Sequence, residues 1–264
     1  MFTNALLAVL TISPVLALPS NAPVSAAHVR STLDLPKGIK LRINTLGDSI
    51  TYGVTGSPVG NSYRPELLKL LTAAGATVEY VGNAKSGSPP QAHDGYPGAT
   101  IAEIGQYGLK AMALKPNVIT LMAGTNDTPK GYSFPGDGFH GPEGAIDRMG
   151  KAIDALTARS PETVVLVATL TPMFFEANLK DKDNQPKKRS TEIFNEALPA
   201  MIKTRVDGGK KVHLVTLPKM DFAKGGKDTQ EGIHPSNAGY KKMAAAFFTG
   251  IEEAAAKNWI KDPA

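Results

Sequence analysis

The stretch LRINTLGDSITYG, residues 41–53, joins an apolar run to a polar turn. Residues 41–46 are rich in leucine and isoleucine and predict a buried strand. Asp48 and Ser49 follow it directly, between two glycines. Serine is a frequent helix N-cap, but a residue just past the carboxyl end of such a strand also lies where α/β proteins bind ligands. On this stretch alone, both interpretations of Ser49 stay open.

Apolar runs of the same kind alternate with amphipathic segments along the rest of the chain. Buried strands are predicted at 41–46, 77–82, 117–124, 163–170 and 211–217, and helices at 62–74, 100–113, 144–158, 191–205 and 238–255. Strands separated by helices predict an α/β protein whose parallel sheet has helices on both faces. The Pro/Gly-rich stretches 86–98 and 128–142 follow two of the strands and are predicted to be ordered surface loops. Without a repeat or a linker, residues 38–258 are predicted to form a single domain.

The amino-terminal segment has the composition of a secretory signal. An apolar run covers residues 5–18 and is followed by Pro19 and small residues. A bilayer span needs about 20 apolar residues, so this run is too short for one but suits a signal h-region. We expect a signal peptide over residues 1–22, with cleavage near Ala17, Ala22 or Ala26, and a secreted, extracellular protein. A buried amino-terminal helix is the alternative.

The composition excludes several kinds of catalytic and metal site. The 264-residue chain has no cysteine, which excludes disulfides, zinc–thiolate sites and thiol nucleophiles. The net charge of +5 is modest, and without an arginine-rich run we expect no nucleic-acid partner. His28, His140 and His213 lack metal-ligand spacing, so neither a metal nor a cofactor is expected. A structural cation at Asp127 and Asp137 has no support in the sequence. The oligomeric state is open.

The carboxyl-terminal stretch EGIHPSNAGY, residues 231–240, supplies a candidate base. Pro235 keeps His234 out of helical geometry, and Ser236 is a candidate cap for the last helix. Glu231 precedes the histidine by three residues and can reach back to orient the imidazole, as the third member of a catalytic triad does. A lone histidine is more often structural, so this stretch carries weight only together with Ser49.

Two further loops offer hydrogen-bond donors. HDGYPGAT, residues 93–100, brings Gly98 to the start of a predicted helix, where backbone N–H groups are available to an anion. GTND, residues 124–127, puts Asn126 directly after a strand, and its side-chain amide is a further donor. Asn126 also begins a glycosylation sequon, and a turn-forming role is the alternative. His93 and Tyr96 lie close to Gly98 in the sequence. Two roles stay open for them, packing within the loop and contact with substrate.

Together, GDSITYG, YPGAT, GTND and GIHPSNAGY resemble the four motif blocks of the SGNH (GDSL-type) hydrolases, in the same chain order. The resemblance covers roughly residues 41–250, and the longer forms HDGYPGATI and GTNDT are most similar to carbohydrate esterase family 3, the acetylxylan-esterase-like branch. It implies a flavodoxin-like, three-layer α/β/α sandwich with a central parallel sheet. The G-x-S-x-G pattern of the α/β-hydrolases is absent, because Thr51 occupies the position of the second glycine.

The resemblance also implies roles. Ser49 is the nucleophile and His234 the general base, while the N–H groups of Ser49 and Gly98 and the Asn126 amide form the oxyanion hole. The family usually has aspartate three residues before the histidine, where this chain has Glu231. Asp228 or a backbone carbonyl is the alternative orienting group, and Asp48 is expected to support the turn.

The implied activity is a secreted serine esterase that removes acetyl groups from a polysaccharide, with acetylxylan as the expected polymer. The sequence shows no long apolar lid segment, which counts against a lipase for long acyl chains. Alternatives are a short-chain carboxylesterase, a deacetylase for another glycan, or a non-catalytic carbohydrate-binding protein on the same fold. A flavodoxin-like cofactor domain is disfavoured, since GDSITYG lacks a hydroxyl-rich phosphate loop.

Overall fold

The computed structural model describes residues 35–127, 141–174 and 190–263, without the side chains of 141–143. The expected signal peptide, residues 128–140 of the second predicted loop and the basic segment 180–189 lie outside these ranges. The described residues belong to one compact unit, Leu33–Ala264.

The secondary structure follows the predicted alternation. The strands are β1 (Lys40–Gly47), β2 (Thr77–Val81), β3 (Ala84–Ser86), β4 (Gln91–Gly95), β5 (Val118–Met122), β6 (Val164–Ala168) and β7 (Val212–Val215). The helices are α1 (Ser49–Tyr52), α2 (Arg64–Ala73), α3 (Ile101–Ala111), α4 (Gly141–Arg159), α5 (Ser190–Asp207) and α6 (Asn237–Ala256), and a 3₁₀ turn, Met112–Leu114, follows α3.

The sheet order is β3-β4-β1-β5-β6-β7, and β2 also pairs with β1. Every pairing is parallel except β3 with β4. The strands β2-β1-β5-β6-β7 give the flavodoxin-like order, in which ligands bind outside the carboxyl ends of the strands at the switch point beside the first strand. Here that point lies between β1 and β5, and the predicted α/β fold class is confirmed.

Three strands end level with one another. Gly47, the last residue of β1, is in register with Gly95 of β4 on one side and with Met122 of β5 on the other. A Cβ on Gly47 would lie 2.3 Å from Thr51 Oγ1 and 2.4 Å from the Met122 carbonyl oxygen, so no side chain fits there. The loops that follow these three strands therefore leave the same edge of the sheet side by side.

The helices cover the sheet in two groups, in which α2 packs against α6 while α4 packs against both α3 and α5. Strands β5 and β6 are buried along their whole length, as expected of central parallel strands. Of the helices that the structure describes, none is long and apolar enough to cross a bilayer.

Two expectations need correction. Residues 86–98 are not only loop, since β4 lies within them and forms an antiparallel hairpin with β3. β2 is only half-buried, because it and β4 share one side of β1 and leave β2 at an edge. Leu35 and Ile260, which flank the predicted domain of residues 38–258, are also buried in the core.

Candidate active site

Ser49 is the first residue of α1, which follows β1 after a single residue. The N-cap is Asp48, whose Oδ1 accepts a hydrogen bond of 2.9 Å from the Ile50 N–H. Asp48 therefore supports the turn, as the sequence suggested, and the Ser49 side chain is not needed as the cap. Ser49 is 8% exposed, and its Oγ lies 2.8 Å from Nε2 of His234.

The loop before α6 holds His234 by its backbone. The Thr229 hydroxyl and the Gln230 N–H both donate to the His234 carbonyl, at 2.9 and 3.1 Å. Glu231 makes a short hydrogen bond through Oε1 to Nδ1 of the imidazole, and its Oε2 accepts from the His234 N–H at 3.2 Å. Because a carboxylate only accepts, Nδ1 carries the ring proton, which leaves Nε2 to accept from the Ser49 hydroxyl.

Asp228, the alternative orienting acid, makes different contacts. Its carboxylate is fully buried and accepts from the Asp221 N–H at 2.8 Å and from the Lys242 ammonium at 2.5 Å. Burial favours a raised pKa, but these two hydrogen bonds and the charges of Lys242 and Lys227 outweigh it and lower the pKa of Asp228. Its described partners do not include the imidazole, so the geometry puts Glu231 rather than Asp228 at the orienting position.

Hydrogen bonds between residues distant in the sequence join the loop after Ser49 to the loop that carries His234. The Thr55 hydroxyl donates to the Pro235 carbonyl at 2.8 Å, and the Ser57 N–H donates to Oδ1 of Asn237 at 3.1 Å. Ser236 caps α6, as the sequence predicted, by accepting from the Gly239 N–H. These hydrogen bonds fix the distance between two segments that are about 180 residues apart in the chain.

The other two predicted loops also meet. Gly98 has a φ of +83°, in the left-handed region that favours glycine, and lies two residues before Thr100, the cap of α3. The Asn126 amide donates to the Ala99 carbonyl at 2.9 Å, which orients the amide beside the Gly98 turn. The structure thus brings Asn126 next to the turn that contains Gly98, on the strand edge that carries Ser49.

Asp127 strengthens this junction. Its Oδ2 accepts from the Ile101 N–H in the first turn of α3 at 2.8 Å, and its Oδ1 accepts from Arg148 Nε at 2.9 Å. Burial raises the pKa of Asp127, and the hydrogen bonds from Ile101 and Arg148 oppose that rise. Asp137 lies outside the described residues, within which no group of three metal-ligating side chains occurs.

Two buried polar side chains beneath the site were missed from the sequence or were not assigned to it. Arg64 and His93 are both 0% exposed. Arg64 lies in the first turn of the helix predicted at 62–74, where an arginine usually faces water, and His93 lies in a stretch predicted to be a loop. Ser86 links the two, since its hydroxyl lies 2.9 Å from Arg64 Nη2 and 2.8 Å from His93 Nε2. QAHDG has no apolar alternation, so no signal in the sequence marks His93 as buried.

Comparison with known proteins identifies the family of this chain. The model of the GDSL-like Lipase/Acylhydrolase family matches residues 45–242, about three quarters of the chain. A multidomain esterase of Ruminococcus flavefaciens is 26% identical in an alignment 238 residues long that covers 80% of this chain. This chain spans only 28% of that relative's length.

Solved structures are similar over most of the chain. A family 3 carbohydrate esterase of Clostridium thermocellum matches with a TM-score of 0.65 and 28% identity, over 83% of this chain and 98% of that one. A carbohydrate esterase family 3 structure from Talaromyces cellulolyticus matches with a TM-score of 0.61 and 19% identity, over 83% and 99% of the two chains, and shows the shared fold. The chain therefore belongs to the GDSL-like lipase/acylhydrolase family of carboxylic ester hydrolases.

Proposed function

We propose that this protein is a secreted serine esterase that removes acetyl groups from a polysaccharide, with acetylated xylan as the first polymer to test. The observation that carries the proposal is the run of contacts from Ser49 Oγ to His234 Nε2 and from Nδ1 to Glu231. A hydroxyl, an imidazole and a carboxylate in this order are the parts of a Ser-His-acid triad.

In the proposed reaction, Ser49 Oγ attacks the acyl carbon while His234 Nε2 takes its proton. Negative charge grows on the carbonyl oxygen, where the Ser49 and Gly98 N–H groups and the Asn126 amide donate to it. His234 then gives the proton to the leaving sugar oxygen, and an acetyl ester of Ser49 remains. Water attacks that ester with the same histidine as base, and the histidine returns this proton to Ser49 Oγ as acetate leaves.

The substrate class is supported by similarity and by the openness of the site. The family 3 carbohydrate esterase of Clostridium thermocellum is 28% identical and is covered almost completely by this chain. The side chain of Glu231 is 46% exposed, so solvent reaches the site on the side of the histidine loop. A polymer that cannot enter a deep pocket could reach such a site.

The test is acetate release from acetylated xylan, acetylated chitin and acetylated pectin by the wild type and by Ser49→Ala. Ser57→Ala, an exposed serine of the same loop, is the matched control. We expect release from xylan by the wild type and the Ser57→Ala variant and none above background by Ser49→Ala. Equal release by Ser49→Ala contradicts the serine mechanism, whereas release only from p-nitrophenyl acetate points to a short-chain carboxylesterase. Polysaccharide binding without any hydrolysis indicates the non-catalytic alternative.

A further inference from the structure

Arg64 is the largest fully buried side chain among the described residues. Burial lowers the pKa of Arg64, but a guanidinium starts so far above neutrality that it keeps its charge. Its described hydrogen-bond partners are all uncharged oxygens. Burying a charge without a counter-ion is costly. Packing alone therefore does not explain the arginine.

The guanidinium holds the end of the helix that carries Ser49. Nη1 donates to the Thr51 carbonyl at 2.5 Å, and Nη2 lies 3.5 Å from the Tyr52 carbonyl. The last carbonyls of a helix have no partner within it and form its negative end, which favours a cation there. A helix of four residues does not persist by itself in water. Asp48 supplies a hydrogen-bond acceptor at the amino end of α1, and Arg64 supplies donors at its carboxyl end.

Nη2 also connects Arg64, through Ser86 and His93, to the strand that precedes the Gly98 turn. Nη2 of Arg64 donates to the Ser86 hydroxyl, which accepts a second hydrogen bond from His93 Nε2. Nδ1 of His93 accepts from the Gly95 N–H at 3.0 Å, so the ring proton is on Nε2. Gly95 is level with Gly47 in the sheet. The guanidinium thus connects the serine turn to the strand end from which the Gly98 loop leaves.

We propose that Arg64 is a positioning residue for the reaction, which fixes α1 and the end of β4 relative to each other and so holds Ser49 in place against the turn that contains Gly98. The inference rests on the proposed function of Ser49. Arg64 is fully buried and acts through the backbone of α1, not by touching substrate. Small errors in the placement of reacting groups cost about 100-fold in rate.

The experiment compares Arg64→Met and Arg64→Lys with Arg205→Met. Arg205 is a matched control, since it is a largely buried arginine on α5 that also binds a backbone carbonyl, that of Met201. The measurements are kcat and KM for p-nitrophenyl acetate, the rate at which a fluorophosphonate labels Ser49, and the midpoint of urea unfolding.

We expect Arg64→Met to lose about 100-fold in kcat and in labelling rate, with KM changed by less than about threefold, because placement rather than binding is lost. Lysine keeps the charge but not the planar fork, so Arg64→Lys should recover only part of the loss. Arg205→Met should lower the unfolding midpoint and leave kcat unchanged.

A folded Arg64→Met enzyme with the kcat and labelling rate of the wild type overturns the proposal. If that variant does not fold, Arg64→Lys and Ser86→Ala decide, and unchanged kcat in both also overturns it. A wild type that releases no nitrophenol contradicts the proposed function instead. The labelling rate then still measures the effect of Arg64 on Ser49, because it requires no turnover.

Discussion

The imidazole of His234 has a different partner on each ring nitrogen, and the two contacts depend on each other. Glu231 on Nδ1 fixes the tautomer that lets Nε2 accept from Ser49. Glutamate is one methylene longer than the aspartate usual in the family, and its second oxygen binds the His234 backbone N–H. That bond from the backbone restrains the longer side chain, so its carboxylate still presents one oxygen to the ring.

Glu231→Gln should lower kcat by about 10²- to 10⁴-fold, because the amide has no charge to stabilise the imidazolium and can present its NH2 group to Nδ1, which favours the wrong tautomer. Kinetics with p-nitrophenyl acetate measure it. Asp228→Asn is the matched carboxyl-to-amide control, expected to lower the unfolding free energy and leave kcat near that of the wild type. A large loss of kcat confined to Asp228→Asn would move the orienting role to Asp228.

Asn126→Ala should lower kcat by about 10²- to 10³-fold, the cost of losing one donor to a developing oxyanion. Asn117→Ala is the control, since Asn117 is buried at the opposite end of the sheet, where its amide binds the Lys40 and Lys261 carbonyls. We expect it to reduce stability without reducing kcat. Near-wild-type turnover by Asn126→Ala would rule out the oxyanion assignment.

Among the elements, the start of α3 is where two site loops are joined. Its capping box uses Thr100 and Glu103, and hydrogen bonding from Thr100 lowers the pKa of Glu103. Asp127 adds a third contact from the neighbouring loop through the Ile101 N–H. The Gly98 turn and the Asn126 loop are therefore held against a helix end, not against each other alone.

Asp127→Ala should reduce the free energy of unfolding by about 2–3 kcal/mol, because it removes a helix-start acceptor and leaves Arg148 without its partner. Urea denaturation measures the change. The control is Asp147→Ala on α4, whose exposed ion pair with Lys151 is worth less than about 1 kcal/mol. Equal losses in the two variants would mean that Asp127 does not tie the loop to α3.

For the whole molecule, the sequence predicts the parallel sheet because its central strands are continuous apolar runs. It does not predict β4, since QAHDG lacks the β-branched and aromatic residues that mark strands, and its pairing is with distant residues at the end of β1. Nor does it show that β2 is an edge strand, because that depends on how β2 and β4 divide one side of β1.

The sequence nominates the site residues that lie in recognisable motifs, but not those whose role depends on contacts made by the fold. Four short motifs are enough to nominate Ser49, Gly98, Asn126 and His234. The choice between Glu231 and Asp228 needs the geometry of the turn. The role of Arg64 stays hidden, because its partners include backbone carbonyls from loops that the sequence does not place.

The pH dependence of stability should carry the signature of His93. Burial, with a smaller contribution from Arg64, lowers the pKa of His93 to about 4 from 6.5. Between these values the unfolded chain binds a proton that the native protein does not, so stability falls as pH drops from about 6.5 to 4, by about 3 kcal/mol from this group. Urea unfolding from pH 7 to 4 should show a shallower decline in His93→Gln than in the wild type. Parallel curves would mean that His93 is protonated in the native state as easily as in the unfolded chain.

The most direct test of the catalytic assignment is the site of covalent labelling by a fluorophosphonate, located by mass spectrometry of the digested protein. The account predicts one adduct, on Ser49, formed much faster in the wild type than in His234→Ala and accompanied by loss of esterase activity. An adduct on another residue, or full activity in protein labelled at Ser49, would contradict it.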